Sequence, residues 1–228
     1  VAIGNAMETN TTGSNNTAVG GGALQSNTTA SANTAVGRIA LSANTTGTQN
    51  VAVGHCALRI NTTGSNNTSV GACSLCHNST ASDNTALGMC ALHENTTGCE
   101  NVAVGTEAMN TGTTACRSVA VGYRALKSVQ TGTNNVGVGF CSLNAITTGA
   151  ANTAVGDIAL LSTTTASSNT AVGGSSLADN TTGAENTAVG QNSLANNTTA
   201  GSNTAVGRGS MFTNTTGASN TGIGFDAL

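Results

Sequence analysis

Fourteen glycines, most of them closing a phrase close to Ala-Val-Gly, act as a ruler along this chain. They are Gly4, Gly20, Gly37, Gly54, Gly71, Gly88, Gly105, Gly122, Gly139, Gly156, Gly173, Gly190, Gly207 and Gly224; the first interval is 16 residues and the other twelve are 17. A period this constant is the mark of a repeat architecture. A 17-residue unit is too short to bury an apolar face alone. It must bury it against its own neighbouring copies.

Within a unit, Asn stands four residues before the ruler Gly (Asn16, Asn33, Asn50, Asn67), with Ser118 as the one exception. Thr or Val follows, then a small residue, then Val, Ile or Leu. Leu or Met comes four residues after the Gly, preceded by Ala or Ser, and a Thr-Thr pair comes later, usually after Asn. Gly and Asn punctuate every unit, and the apolar pairs lack a sustained 3.6-residue period, so helix is a poor reading. The exchange of Thr for Val suits extended backbone. Each unit therefore reads as two or three short strands joined by tight turns, with the ruler Gly at a corner. The expected fold is all-β, a parallel β-solenoid of about 13 coils stacked about 4.8 Å apart. Residues 1–228 form a single array. It begins and ends within a phrase, which suggests a segment of a longer array.

Composition explains why an ordinary globule is not the alternative. The chain has no Pro or Trp, one Tyr, three Phe, 7% charged residues and a net charge of −3. Too few large side chains are present for a thick core, yet Val and Leu recur too regularly for a disordered chain. In a stacked solenoid every position lies above its own copy. Asn over Asn can form amide ladders, Thr over Thr packs on a pleated surface, and a nearly neutral sequence avoids stacked like charges. No apolar run reaches the length of a membrane span, and no signal-peptide pattern opens the chain.

Alternation along a strand puts the Ala and Val of Ala-Val-Gly on opposite faces. If Val and Leu fill the coil, Ala18, Ala35, Ala52, Ala86, Ala103, Ala120, Ala154, Ala171, Ala188 and Ala205 form an outward stripe of small residues suited to self-association. If a thin interior needs small side chains, the same residues face inward. The sequence leaves both readings open.

The phrase "NTAVGRIALSANTTG" and its copies resemble the stalk and head repeats of phage and virus fibre proteins. They are also similar to the β-roll heads of bacterial trimeric autotransporter adhesins. The 17-residue spacing matches the fibre arrays better than the shorter adhesin unit. The resemblance implies a trimeric, extracellular, non-catalytic attachment rod, and such fibres often carry a C-terminal chaperone domain.

Several constellations stand out from the repeat. Cys56, Cys73 and Cys90 occupy one slot in three consecutive units, and Cys99 and Cys116 share another. At the coil spacing, equivalent residues lie within disulfide reach, so Cys56–Cys73 or Cys73–Cys90, and Cys99–Cys116, are candidate bonds. The alternative is that Cys serves as a small apolar filler. His55, His77 and His93 lie near these cysteines, a mixture suited to zinc. The histidines fall in different slots, however, and no paired C-x-x-C knuckles occur, so no metal site is expected. Tyr123, Arg124, Lys127 and Phe140 form a candidate receptor or glycan patch, with tolerated surface variation as the simpler reading. Asn10, Asn27, Asn44, Asn61, Asn78, Asn95, Asn180, Asn197 and Asn214 each begin an N-x-[ST] acceptor phrase. The nine carboxylates are scattered, no nucleophile elbow or phosphate loop occurs, and the cations are too few for a nucleic-acid footprint.

The expected function is thus structural: a fibre or stalk segment at a cell or virion surface, self-associated most simply as a homotrimer, without cofactor, nucleic acid or membrane span. One alternative is an ice-binding solenoid using columns such as Thr28, Thr45, Thr62, Thr96, Thr181, Thr198 and Thr215. Another is the subunit of a polymerising filament.

Overall fold

The computed structural model describes residues 1–227. All regular structure among them is parallel β, with one strand per 17-residue coil. The chain forms two compact units, one over Val1–Cys116 and the other from Arg117 onward.

The first unit holds β1 (Ala2–Ile3), β2 (Thr17–Val19), β3 (Thr34–Val36), β4 (Val51–Val53), β5 (Thr68–Val70), β6 (Thr85–Leu87) and β7 (Val102–Val104). Each strand pairs in parallel with the next, and the register follows the sequence ruler: Ala35 faces Ala52, Ala52 faces Ser69, and Ser69 faces Ala86. The second unit repeats this with β8 (Val119–Val121), β9 (Val136–Val138), β10 (Thr153–Val155), β11 (Thr170–Val172), β12 (Thr187–Val189), β13 (Thr204–Val206) and β14 (Thr221–Ile223). There Ala154 faces Ala171 and Ala171 faces Ala188. The fold is the parallel β-solenoid that the period predicts.

Each coil contains one strand, of three residues in all but β1, where two or three strands were expected. The reason lies in the backbone. Three non-glycine slots per coil adopt left-handed dihedrals, as at Cys56 (φ 58°), Leu58 (φ 51°) and Asn66 (φ 59°). Such residues break extended backbone. The coil-to-coil hydrogen bonds continue regardless: Leu41 N donates to Ala57 O at 2.9 Å and Thr45 N to Thr62 O at 3.0 Å. The ruler glycine has two independent reasons to be Gly. Gly54 sits at φ 135°, and a Cβ there would lie 2.5 Å from the Gly71 carbonyl oxygen of the next coil.

The faces of the strand correct one sequence expectation. Ala18, Ala35, Ala52, Ala86, Ala103, Ala120, Ala154, Ala171, Ala188 and Ala205 are fully buried, whereas Val155, Val172, Val189 and Val206 are each 37% exposed. The alanine stripe faces inward, so it is not an outer surface. The leucine explains this. A Cβ added at Gly137, in the alanine slot, would lie 2.5 Å from Leu126 Cδ1. Leu and the strand's middle residue meet across a thin coil, so only Ala, Ser or Gly occupies that slot. Alternation also fails at the Ala-Leu pair: Ala40 and Leu41 are both buried, because Leu41 at φ 51° turns the chain between them.

Two asparagine columns complete the interior. In the first, Asn33 Oδ1 accepts from Asn50 N at 2.9 Å, while Asn33 Nδ2 donates to Gly47 O at 2.9 Å. In the second, Asn44 Nδ2 donates to Asn27 Oδ1 at 3.1 Å and to the same Gly47 O at 2.9 Å. Buried amides are therefore hydrogen-bonded along the stack, as burial of a polar group requires.

Candidate functional site

In the second unit the predicted surface patch is assembled around one slot. Tyr123 and Phe140 each follow a ruler Gly, so stacking of coils stacks their rings, with centroids 5.4 Å apart and planes 21° from parallel. The Arg124 guanidinium lies 4.8 Å from the Tyr123 ring centroid, within cation–π range. Both rings are open to solvent, Phe140 being 54% exposed. Burial pushes the nearby Cys141 thiol up from its ordinary pKa; Arg124 pulls it down, Asp157 raises it, and Lys127 lowers it. Tyr123, Arg124 and Phe140 thus converge, and the charge of Lys127 reaches the same neighbourhood.

The first unit carries the sulfur-rich region. Cys56, Cys73 and Cys90 stack as their shared slot predicts, with Cys73 N donating to His55 O at 2.9 Å and Cys90 N to Ala72 O at 3.0 Å. Burial, then the neighbouring Cys73, pushes the thiols of Cys56 and Cys90 up. Cys99 and Cys116 bring their sulfurs to 3.0 Å. The shared slots thus bring each candidate pair together from successive coils.

Two groups of thiol and imidazole converge there. His55, Cys56 and Cys73 form one, and Cys76, His77 and His93 the other, with the ligand atoms of each group within 4.8 Å of one another. The first is open: His55 is exposed, and its Nε2 lies 3.4 Å from both Cys56 Sγ and Arg38 Nη1. In the second, Cys76 is buried, and the rings of His77 and His93 meet edge to face at 4.7 Å. Glu94 lies between them, with Oε1 2.8 Å from His93 Nδ1 and Oε2 3.2 Å from His77 Nδ1. The His77 contact lacks hydrogen-bond direction, so the buried Nδ1 has an ion-pair neighbour but no hydrogen bond.

By sequence alone, His77 and His93 are weighed for zinc and set aside because they fall in different slots, and Glu94 is not brought in. Cys76 and His93 share a slot, and His77 and Glu94 occupy the next one. Neighbouring slots on neighbouring coils meet at a turn. Residues in different columns can therefore converge. The signal was the pair of dipeptides Cys76-His77 and His93-Glu94, 17 residues apart.

The remaining candidates resolve by burial. Asn27, Asn44, Asn61, Asn78, Asn180 and Asn197 are fully buried in the second amide column, so the fold hides those glycan-acceptor amides. Thr28, Thr45, Thr62, Thr96, Thr181 and Thr198 donate their hydroxyls to carbonyls of the next coil at 2.9–3.4 Å. That commits those protons within the stack and away from surface water. No helix among the described residues is long and apolar enough to cross a membrane. No protein-family model, curated protein or solved structure matches the chain.

Proposed function

We propose that this chain is a structural, non-catalytic repeat segment of a fibre or stalk in an attachment protein, displayed at a cell or virion surface and self-associated as a homotrimer. One observation supports the reading: within each unit, successive coils hydrogen-bond through the backbone and through buried amides in the register of the sequence period. Such a coil can be added indefinitely, so its natural product is length. Association runs through the outward Val and Thr columns of the strands. Within each unit, a row of part-exposed aliphatic side chains, mostly Val, repeats once per coil and is matched in spacing by a second copy of the same chain. The stacked Tyr123–Phe140 pair with Arg124 and Lys127 is the place on the second unit where a receptor or glycan would be held, since exposed aromatic faces offer apolar area and a cation beside them offers direction.

Light scattering of the purified chain, paired with negative-stain electron microscopy, tests this. The expected result is a mass three times the 22.0 kDa of one chain and finite elongated particles. Monomers of compact outline would overturn it. Indefinite filaments would replace the stalk with a polymerising subunit, and thermal hysteresis in ice-growth assays would replace it with an ice binder.

A further inference from the structure

We propose that Cys76, His77 and His93, completed by Glu94, form a binding site for a thiophilic divalent ion of the zinc class that ties two successive coils together. Cys76 and His77 come from one coil and His93 and Glu94 from the next. The ligand set is one sulfur, two imidazoles and one carboxylate. This mixture suits a borderline-soft ion of tetrahedral preference, and disfavours calcium or magnesium, which take oxygen ligands.

The geometry is close to what such an ion needs. Zinc–sulfur bonds of about 2.3 Å and zinc–nitrogen bonds of about 2.0 Å place tetrahedral ligand atoms roughly 3.3–3.7 Å apart. The three ligand atoms already lie within 4.8 Å of one another. The side chains that must move inward are free to rotate, since those of His77, His93 and Glu94 are 33%, 23% and 45% exposed. Cys76 is the buried anchor. His77 Nδ1, buried with no well-directed hydrogen bond and only the 3.2 Å contact to Glu94, is a second sign of an unfilled role. Buried polar nitrogens are seldom left unbonded, and an ion between the rings would satisfy it. Glu94 already contacts both rings, so it supplies the negative charge that two neutral imidazoles lack.

The other thiol–imidazole group fits less well. It has no carboxylate, and Arg38 sits against the nitrogen of His55 that faces Cys56. One feature opposes the proposed site. Arg59 occupies the slot of Cys76 one coil earlier, with its Nε buried and unpartnered. Its positive charge would repel a dication beside Cys76, so removing that charge should tighten binding.

The test is an anaerobic titration of the chelator-treated, reduced full chain with Co²⁺. Expected are one cobalt per chain, a near-ultraviolet sulfur-to-cobalt charge-transfer band, displacement by Zn²⁺ and a higher melting temperature with either ion. Cys76→Ser abolishes the band, and Cys73→Ser, from the other cluster, leaves it intact. Glu94→Gln weakens binding about tenfold or more, whereas Arg59→Gln strengthens it. The last two changes lie at charged side chains outside the amide columns and report even if Cys76→Ser fails to fold. No charge-transfer band in the parent, a band lost with Cys73→Ser and kept with Cys76→Ser, or an affinity indifferent to both Glu94→Gln and Arg59→Gln would each overturn the proposal.

Discussion

At the scale of single residues, the solenoid is decided by which side chain fits inside a narrow coil. The alanine before the strand's last valine is buried against the leucine side of the interior, and the valine looks outward. Ala52→Val should therefore overpack the coil and destabilise it by about 1–3 kcal/mol. Val53→Ala, on the outer face, should cost less than about 1 kcal/mol in the isolated chain. Urea unfolding of the two variants checks the order; a costlier Val53→Ala would put the valines inside. The sequence left this facing open for a physical reason. Alternation determines only that Ala and Val oppose each other, and either can be the inner one. What decides is the width of the coil, which depends on Leu41 and its copies turning inward through left-handed backbone. Leucine seldom adopts that conformation alone, so nothing in its identity announces it. The glycine ruler was legible because close approach and positive φ both demand Gly.

At the scale of one element, the two asparagine columns look alike in sequence but do different work. In the first, each Oδ1 caps a backbone N–H of the next coil: Asn50 Oδ1 accepts from Asn67 N at 3.0 Å, and Asn50 Nδ2 donates to Gly64 O at 2.8 Å. Ser118 is tolerated there because its hydroxyl accepts from Asn135 N at 3.2 Å. In the second column the amides mainly bond one another and a carbonyl that the first column also serves: Asn61 Nδ2 reaches Asn44 Oδ1 at 3.0 Å and Gly64 O at 2.9 Å. Losing such an amide strands no backbone donor. The chain itself places Gly112, Val129, Ile146 and Thr163 in that slot, with Val129 and Ile146 fully buried. Where Gly112 interrupts the column, Asn95 Oδ1 is left without a partner. Asn50→Ala should thus cost about 2–3 kcal/mol, from an orphaned buried N–H and a lost amide, and Asn61→Val less, about 1–2 kcal/mol, from the Asn44 Oδ1 acceptor it strands. Equal costs from urea unfolding would remove the distinction. The degenerate middle of the sequence is then a place where the less demanding column relaxes. Within the second unit the demanding column continues from Ser118 to Asn135 and Asn152.

At the scale of the whole molecule, the period read from the glycines carried the fold class, the parallel direction and the register of every described strand pair. It carried less about sites, because a ruler compares a residue with its own copies. The stacked Tyr123 and Phe140 share a slot and were visible that way. The Cys76, His77, His93 and Glu94 cluster spans two slots and was not. Everything proposed for this chain, from fibre to ion site, depends on residues seventeen apart lying one above the other. Oxidation of the metal-free chain by oxidised glutathione, followed by peptide mapping, tests that most directly. The account predicts Cys99–Cys116, whose sulfurs already approach to 3.0 Å, together with Cys73 joined to Cys56 or Cys90, and no other pairing within a chain. A crosslink such as Cys56–Cys116 or Cys76–Cys141, or the absence of Cys99–Cys116, would contradict it.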